Sequence, residues 1–468
     1  MPKSLNDFHL RLKWMIGLMV IMLGLSILGG CGGESTHSSI TPTQPGVPPP
    51  PPSSSPTAAS AFGMQCGLSV GACGGPGSTI LWPSSQAKPG FLRLHDSDTF
   101  WSQLEPSPNQ YDWKALDIWL DTIAQHEPID VSQVFMWVPC WDAPTCVAPP
   151  VAQPNGTNAF PNDLTASGSP TFNSFVTAFV QHCSPAGNCT KDIIKYYEMW
   201  NEWNQPVHWT GTPLQLYRML APAVAIIRQN VPNAVILSPS TTAGETTYVN
   251  DLKTWLGNEN QYGKISDWVA WHLYLGDVNN AAATNTPEFQ WQKYATNLID
   301  AQQSVSGWAD VAYANTETNF HGQKADVPYT CSAAQYSADD CTGQIVRWQL
   351  LHTSFGASNV TWYKWNITIG SNPQYAQAYY SMMQYLEGGK FTANCSFTTD
   401  GGNNQIWSCP FTEASGTTAL FVWTPTEGNT VAFSVPSGFT DYKDLTGSTT
   451  TISGATINIG PEPIMFEQ

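Results

Sequence analysis

Between residues 61 and about 389, eight short apolar runs alternate with longer stretches that carry an apolar stripe at helical spacing. The runs fall near residues 62–66, 91–95, 132–138, 194–200, 234–238, 268–273, 311–317 and 360–365, and their β-branched and aromatic content suits strands. The clearest intervening pattern is 212–230: Thr212 can cap, Pro213 suits a first turn, and Leu216, Met219, Leu220, Ala223 and Ile227 form one stripe. From the first run to the eighth, 298 residues hold seven repeats of about 43, slightly longer than a minimal strand-helix unit. Few folds accommodate eight such repeats, and the pattern predicts an α/β protein with a (β/α)8 TIM barrel over residues 60–389.

Residues 390–468 change character. Helical stripes vanish, apolar positions alternate in Ala419-Leu420-Phe421-Val422-Trp423 and Val431-Ala432-Phe433-Ser434-Val435, and turns such as Glu427-Gly428-Asn429 intervene. This predicts a C-terminal antiparallel β-sandwich that covers a flank of the barrel. Its few aromatic residues sit at alternating, core-like positions, which favours structural cover over sugar binding.

The amino terminus reads as an export signal. Lys3, Arg11 and Lys13 precede the uncharged residues 14–30, and the sequence then passes through Leu28-Gly29-Gly30 to Cys31. A small-small-Cys ending resembles the bacterial lipobox, where the Cys thiol is acylated and becomes the new terminus. Residues 1–30 are therefore expected to be a lipoprotein signal peptide, with Cys31 the lipidation site and a membrane the partner it reaches through that anchor. An outer-membrane or cell-surface location follows. Residues 31–59 form the tether: from 35 to 59, Pro, Ser and Thr fill 18 of 25 positions, a composition that cannot bury a core.

The cysteine count agrees with export. Of 11 cysteines, one goes to lipid and ten fall into local pairs: Cys66 with Cys73, Cys140 with Cys146, Cys183 with Cys189, Cys331 with Cys341, and Cys395 with Cys409. Five loop-closing disulfides are the expectation. No CxxC spacing occurs and the histidines are scattered, so no metal site is expected. A net charge of −17 repels phosphate backbones and argues against nucleic acid as a partner. No obligate protein partner is evident.

In a barrel of this kind, function sits at the C-terminal ends of the strands. The fourth run ends in Glu198-Met199-Trp200-Asn201-Glu202 and the seventh in Asn315-Thr316-Glu317. Glu202 and Glu317 lie 115 residues apart, close to three repeats, so both would project into one pocket. Two facing carboxyl groups are what glycoside cleavage requires.

Asn201-Glu202 after the fourth strand, His272-Leu273-Tyr274 after the sixth, Glu317 after the seventh and Trp362/Trp365 on the eighth together resemble the clan A glycoside hydrolases. Arg93-Leu94-His95-Asp96 on the second strand, followed by Trp101, Glu105-Pro106 and Tyr111-Asp112-Trp113, resembles glycoside hydrolase family 39 most. The resemblance implies a retaining β-glycosidase acting by double displacement on a polysaccharide or oligosaccharide, without a cofactor. It assigns Glu202 as acid/base, Glu317 as nucleophile, Asn201 as the partner of a sugar 2-hydroxyl, and Trp365 as the floor beneath the reacting sugar.

Elementary electrostatics supports these roles. The charge of Glu317 would raise the pKa of Glu202 and keep it protonated until glycosylation removes that charge. Arg93 and Tyr274 suit donors that aim Glu317, while His95 and His272 can orient carboxylates or sugar hydroxyls. Each residue also has a structural reading: Arg93 as a buried ion pair, the histidines as satisfied core groups, and one of Trp362 and Trp365 as packing. Two other functions fit the same sequence, a non-catalytic polysaccharide-binding lipoprotein on a barrel scaffold and a transglycosylase. The loop from 140 to 168, rich in Pro, Asn and Gly, governs how open the cleft is and leaves the sugar open.

Overall fold

The computed structural model describes residues 55–66, 89–126, 129–146, 155–183, 193–242, 246–277, 286–321, 331, 338–365, 368–370, 372–425 and 430–468. The signal sequence, Cys31 and the tether to residue 54 lie outside the described residues. Among those described, no helix is long and apolar enough to cross a membrane.

Eight parallel strands close into a ring: β1 Phe62–Met64, β2 Phe91–Leu94, β3 Asp130–Val134, β4 Ile194–Glu198, β5 Val235–Leu237, β6 Trp268–His272, β7 Ala312–Thr318 and β8 Ala357–Trp362. Each pairs with its sequence neighbour, and β8 returns to β1 through Phe62 opposite Val360. The helices following β2 to β8 are α1 Lys114–Ile123, α2 Pro170–His182, α3 Pro213–Asn230, α4 Thr246–Tyr262, α5 Thr296–Gln303, α6 Ala338–Ser354 and α7 Pro373–Leu386. The expected (β/α)8 barrel is present, with each predicted run overlapping a strand.

Local sequence explains where several helices start. Ser169, Thr212 and Asn372 accept backbone N–H bonds at the first turns of α2, α3 and α7, and each is followed by a proline. Such a proline loses nothing, because its missing N–H would have no partner there. In α3, Gln215 also bonds back to the Thr212 backbone, and the predicted stripe from Leu216 to Ile227 is fully buried. The strands depart from the expected bounds by a few residues, and two departures bear on the site. β3 begins two residues earlier, and β8 ends at Trp362, so Trp365 lies in the following turn.

The body begins before residue 60. The Thr57 amide donates to Gly389 O at 2.7 Å, its carbonyl accepts from Gly388 N at 2.9 Å, and Ala59–Ala61 forms a 3-10 turn into β1. The end of the expected tether is thus tied to the barrel.

The C-terminal segment is antiparallel, as expected. One sheet runs in the order Lys390–Phe391, Gln405–Thr412, Thr418–Trp423, Ile464–Glu467, Asp441–Lys443, Thr449–Thr451, with Ser396–Thr399 also on Gln405–Thr412. Val431–Ser434 and Thr456–Ile459 pair as a second layer. Trp407, Phe411, Phe421 and Trp423 join the barrel's core, whereas Val422, Val431, Ile459 and Phe466 form a core between the layers. The sheet is anchored to the barrel by Trp423 Nε1, which donates to Glu288 Oε1 at 2.7 Å.

Three expected disulfides are formed, Cys140–Cys146, Cys331–Cys341 and Cys395–Cys409. Cys66 is also disulfide-bonded, but Cys73 and Cys189 fall outside the described residues.

Candidate active site

Several non-glycine residues just past strand ends have left-handed backbone, among them Asp96 after β2, Trp137 after β3, Glu202 after β4 and Lys364 after β8, with φ of 54°, 59°, 43° and 51°. Such conformations cost about 1 kcal/mol or more and persist where surrounding structure imposes them, often at functional sites. At Glu202 the restraint is visible: its amide donates to Ser240 Oγ at 3.0 Å, just past β5.

Arg93 on β2 organises the mouth of the barrel from a fully buried position. Its Nε and Nη2 donate to the two oxygens of Glu198 at 2.8 and 2.7 Å, a bidentate pair. Nη1 donates to Glu317 Oε2 at 2.7 Å and Gln65 Oε1 at 2.6 Å, and Nη2 also reaches Asn201 Oδ1 at 2.7 Å. One guanidinium therefore gathers side chains from β1, β4 and β7. Tyr274 completes the hold on Glu317 by donating its hydroxyl to Oε1. The Glu198 carboxyl is held far below the usual range: burial alone would raise it, but the charge and hydrogen bonds of Arg93 and His272 prevail.

Glu202 faces this network. One oxygen of Glu202, one of Glu317 and a ring nitrogen of His272 all lie within 4.8 Å of one another. His272 Nδ1 is 2.9 Å from Glu202 Oε1, and Nε2 lies 3.2 Å from Thr316 Oγ1, 3.4 Å from Arg93 Nη2 and 3.8 Å from Glu198 Oε1. Burial alone would push this imidazole down, but the charge of Glu317 and the interactions with Glu198 and Glu202 raise it to about 9. The matching effect on Glu202 departs from the sequence expectation. Burial favours its neutral form, yet His208 and His272 hold the carboxyl well below the ordinary range. The imidazoles therefore outweigh burial, and the proton shared between Glu202 and His272 rests on histidine.

His95 is nearly enclosed. Its Nδ1 meets Gln65 Nε2 at 3.1 Å, while the buried Nε2 has no hydrogen-bond partner among the described residues. Burial and the adjacent Arg93 hold it well below the usual histidine range, so it is neutral; with Nδ1 accepting from the Gln65 amide, Nε2 carries the hydrogen. Trp365 packs edge-on against Tyr379 of α7 at 5.0 Å, on the helix side, while Trp362 packs against Phe320 at 5.9 Å. The aromatic of this segment that reaches the mouth is Tyr363, whose hydroxyl donates to Asp96 Oδ2 at 2.9 Å.

Arg93, His95, Asn201, Glu202, His272, Tyr274 and Glu317 thus come together, while Gln65, Glu198, His208 and Tyr363 join them without having been singled out from sequence. Glu198 carried a signal: it is a carboxylate at the end of the fourth apolar run, four residues before Glu202. A cation among Glu202, His272 and Glu317 would sit beside the Arg93 guanidinium, which already holds Glu317. The arrangement suits proton transfer at one carboxylate and attack by the other.

No protein-family model and no curated protein matches the sequence. Solved structures do match. A glucosidase from Croceicoccus marinus is 14% identical with a TM-score of 0.56, over 89% of this chain and 96% of that one. A family 39 glycoside hydrolase from Bacteroides cellulosilyticus is 16% identical with a TM-score of 0.55, over 82% and 76%. A family 51 α-L-arabinofuranosidase from Bifidobacterium longum is 10% identical with a TM-score of 0.56, over 90% and 97%. At such identities the likeness is one of fold: this chain shares the barrel and the C-terminal sheets with proteins of those names.

Proposed function

We propose that this protein is a retaining glycoside hydrolase that cleaves β-glycosidic bonds of a polysaccharide or oligosaccharide, exported as a lipoprotein anchored through Cys31. The observation that carries the reading is the pair Glu202 and Glu317. They project from the ends of β4 and β7 with oxygens within 4.8 Å, a spacing that suits direct attack rather than an interposed water. Glu317, aimed by Arg93 and Tyr274, attacks the anomeric carbon while Glu202, drawing back the proton held on His272 at 2.9 Å, passes it to the departing oxygen. Water then breaks the glycosyl-enzyme, giving its proton to Glu202. Asn201 has its carbonyl oxygen on Arg93, leaving its amide N–H groups for a sugar 2-hydroxyl, and His95 Nε2–H, without a partner among the described residues, is a natural donor to another hydroxyl. With Arg93 and His272 cationic and Glu198, Glu202 and Glu317 anionic, the site carries one excess negative charge, which favours an oxocarbenium-like transition state.

The test is chemical. Glu202→Gln and Glu317→Gln should each lower turnover by about a thousandfold or more. A 2,4-dinitrophenyl 2-deoxy-2-fluoro-β-glycoside should attach one glycosyl group to Glu317, located by peptide mass mapping, and azide should restore activity to Glu317→Gly. Full activity in either Gln variant would overturn the reading. A panel of β-glucans, xylans and exopolysaccharides, with an added sugar acceptor, identifies the substrate and separates hydrolysis from transglycosylation.

A further inference from the structure

Resting on the glycosidase reading, a second role emerges around Glu202. Its two oxygens face different imidazoles: Oε1 lies 2.9 Å from His272 Nδ1 and Oε2 lies 3.2 Å from His208 Nδ1. His272 ends β6 and is fully buried, whereas His208 lies on the loop after β4 with its side chain 16% exposed. The backbone of His208 is pinned on both sides, its amide donating to Gln205 O at 2.8 Å and its carbonyl accepting from Trp200 Nε1 at 3.2 Å. The ring is set edge-on to Trp137 at 5.6 Å. Its buried Nδ1 makes no aligned hydrogen bond among the described residues, so the approach to Oε2 is a close contact off the bonding line. Contacts of this kind often align only when substrate is bound.

We infer that His208 is a positioning residue for Glu202, steadying the anionic carboxylate for the step in which it acts as base. In that step a water oxygen bonds to the anomeric carbon, the ester bond to Glu317 breaks with its electron pair returning to Glu317, and the water's proton passes to Glu202. The titratable groups facing Glu202 are His208 on its own loop, His272 on β6, Glu317 on β7, and Arg93 and Glu198 behind them, and His95 is close enough to feel His208. Removing His208 takes away one of two groups that favour the carboxylate, so Glu202 keeps its proton to higher pH.

His208→Phe keeps a ring against Trp137 and removes both nitrogens, and His208→Gln restores a donor. The probes are 2,4-dinitrophenyl 2-deoxy-2-fluoro-β-glucoside and -xyloside, which need no acid to react, and phenyl β-glucoside and β-xyloside, which do. Trapping of Glu317 should stay within about twofold of wild type, while reactivation of the trapped enzyme by water should slow about tenfold in His208→Phe and less in His208→Gln. The acid limb of reactivation and the basic limb of kcat/KM on the phenyl glycosides should both move to higher pH. Unmoved limbs, or trapping and reactivation falling by one common factor, would reduce His208 to packing and overturn the inference. A wild-type protein that is neither trapped nor cleaves a phenyl glycoside would overturn the function and this role with it; trapping that proceeds with unchanged histidine variants overturns the role alone.

Discussion

Arg93 joins more of the site than any other side chain described. Its guanidinium is shared between Glu198, which it grips with two bonds, and Glu317, which it aims with one. Glu198 therefore acts on chemistry at a distance, by fixing the plane of the arginine that orients Glu317. Glu198→Gln keeps the shape and removes the charge, leaving a buried cation half compensated. The expected result is a loss of about 3–5 kcal/mol in stability, read from denaturant midpoints, together with weaker turnover on every substrate. A midpoint equal to wild type would mean that Glu317, Asn201 and Gln65 suffice to hold Arg93. The two carboxylates and Arg93 were legible because each stands at a strand end, where an eightfold repeat converts spacing into direction. His208 was not, because its place depends on the path of a loop that follows no period, and with it the electrostatics of Glu202 was misjudged.

At the scale of elements, helix starts were easy to read where side chain and backbone interact within three residues, as at Thr212. Strand ends were harder: β8 stops at Trp362 because its ladder to β7 ends there, where Thr318 faces Trp362, and nothing local to 360–365 announces that. The joint between β8 and β1, which closes the ring, depends on a glycine. A Cβ on Gly63 would lie 2.3 Å from Thr361 Oγ1 and 3.0 Å from Thr361 Cα, and the second contact is with backbone that cannot rotate away. Gly63→Ala should therefore spread β1 from β8 and destabilise the barrel by about 1–3 kcal/mol or more. Since Gln65, two residues on, bonds Arg93, activity should fall with stability. A variant with wild-type unfolding would show that the strands part at little cost.

For the whole molecule, buried carboxyl and imidazole groups, several of them in the site, also set how stability varies with pH. His272 is raised to about 9 from an ordinary 6.5, so between those values the fold holds a proton that the unfolded chain does not, and stability rises as pH falls toward 6.5. His95 and His352 work in the opposite sense: burial holds His95 well below 6.5 and His352 down to about 3. Below pH 6.5 the unfolded chain binds protons at both that the fold refuses, and stability falls with further acidification. Glu198 and Glu202, both held below the ordinary 4.5, steepen the fall once pH drops under that value. The histidines thus work against one another about pH 6.5, each proton of difference giving a slope of about 1.4 kcal/mol per pH unit. On the acid side Asp96 and Asp142, raised by burial to about 6 and about 7, oppose the fall by binding protons in the fold. His352 lies away from the chemistry, its ring enclosed by Trp291 and Trp348 at 4.8 and 4.5 Å. His352→Gln should flatten the acid limb of stability between pH 6.5 and 4.5 by one proton's slope while leaving the basic limb, which belongs to His272, in place. Chemical unfolding at a series of pH values measures both limbs, and an acid slope unchanged in that variant would mean His352 takes up its proton in the folded protein.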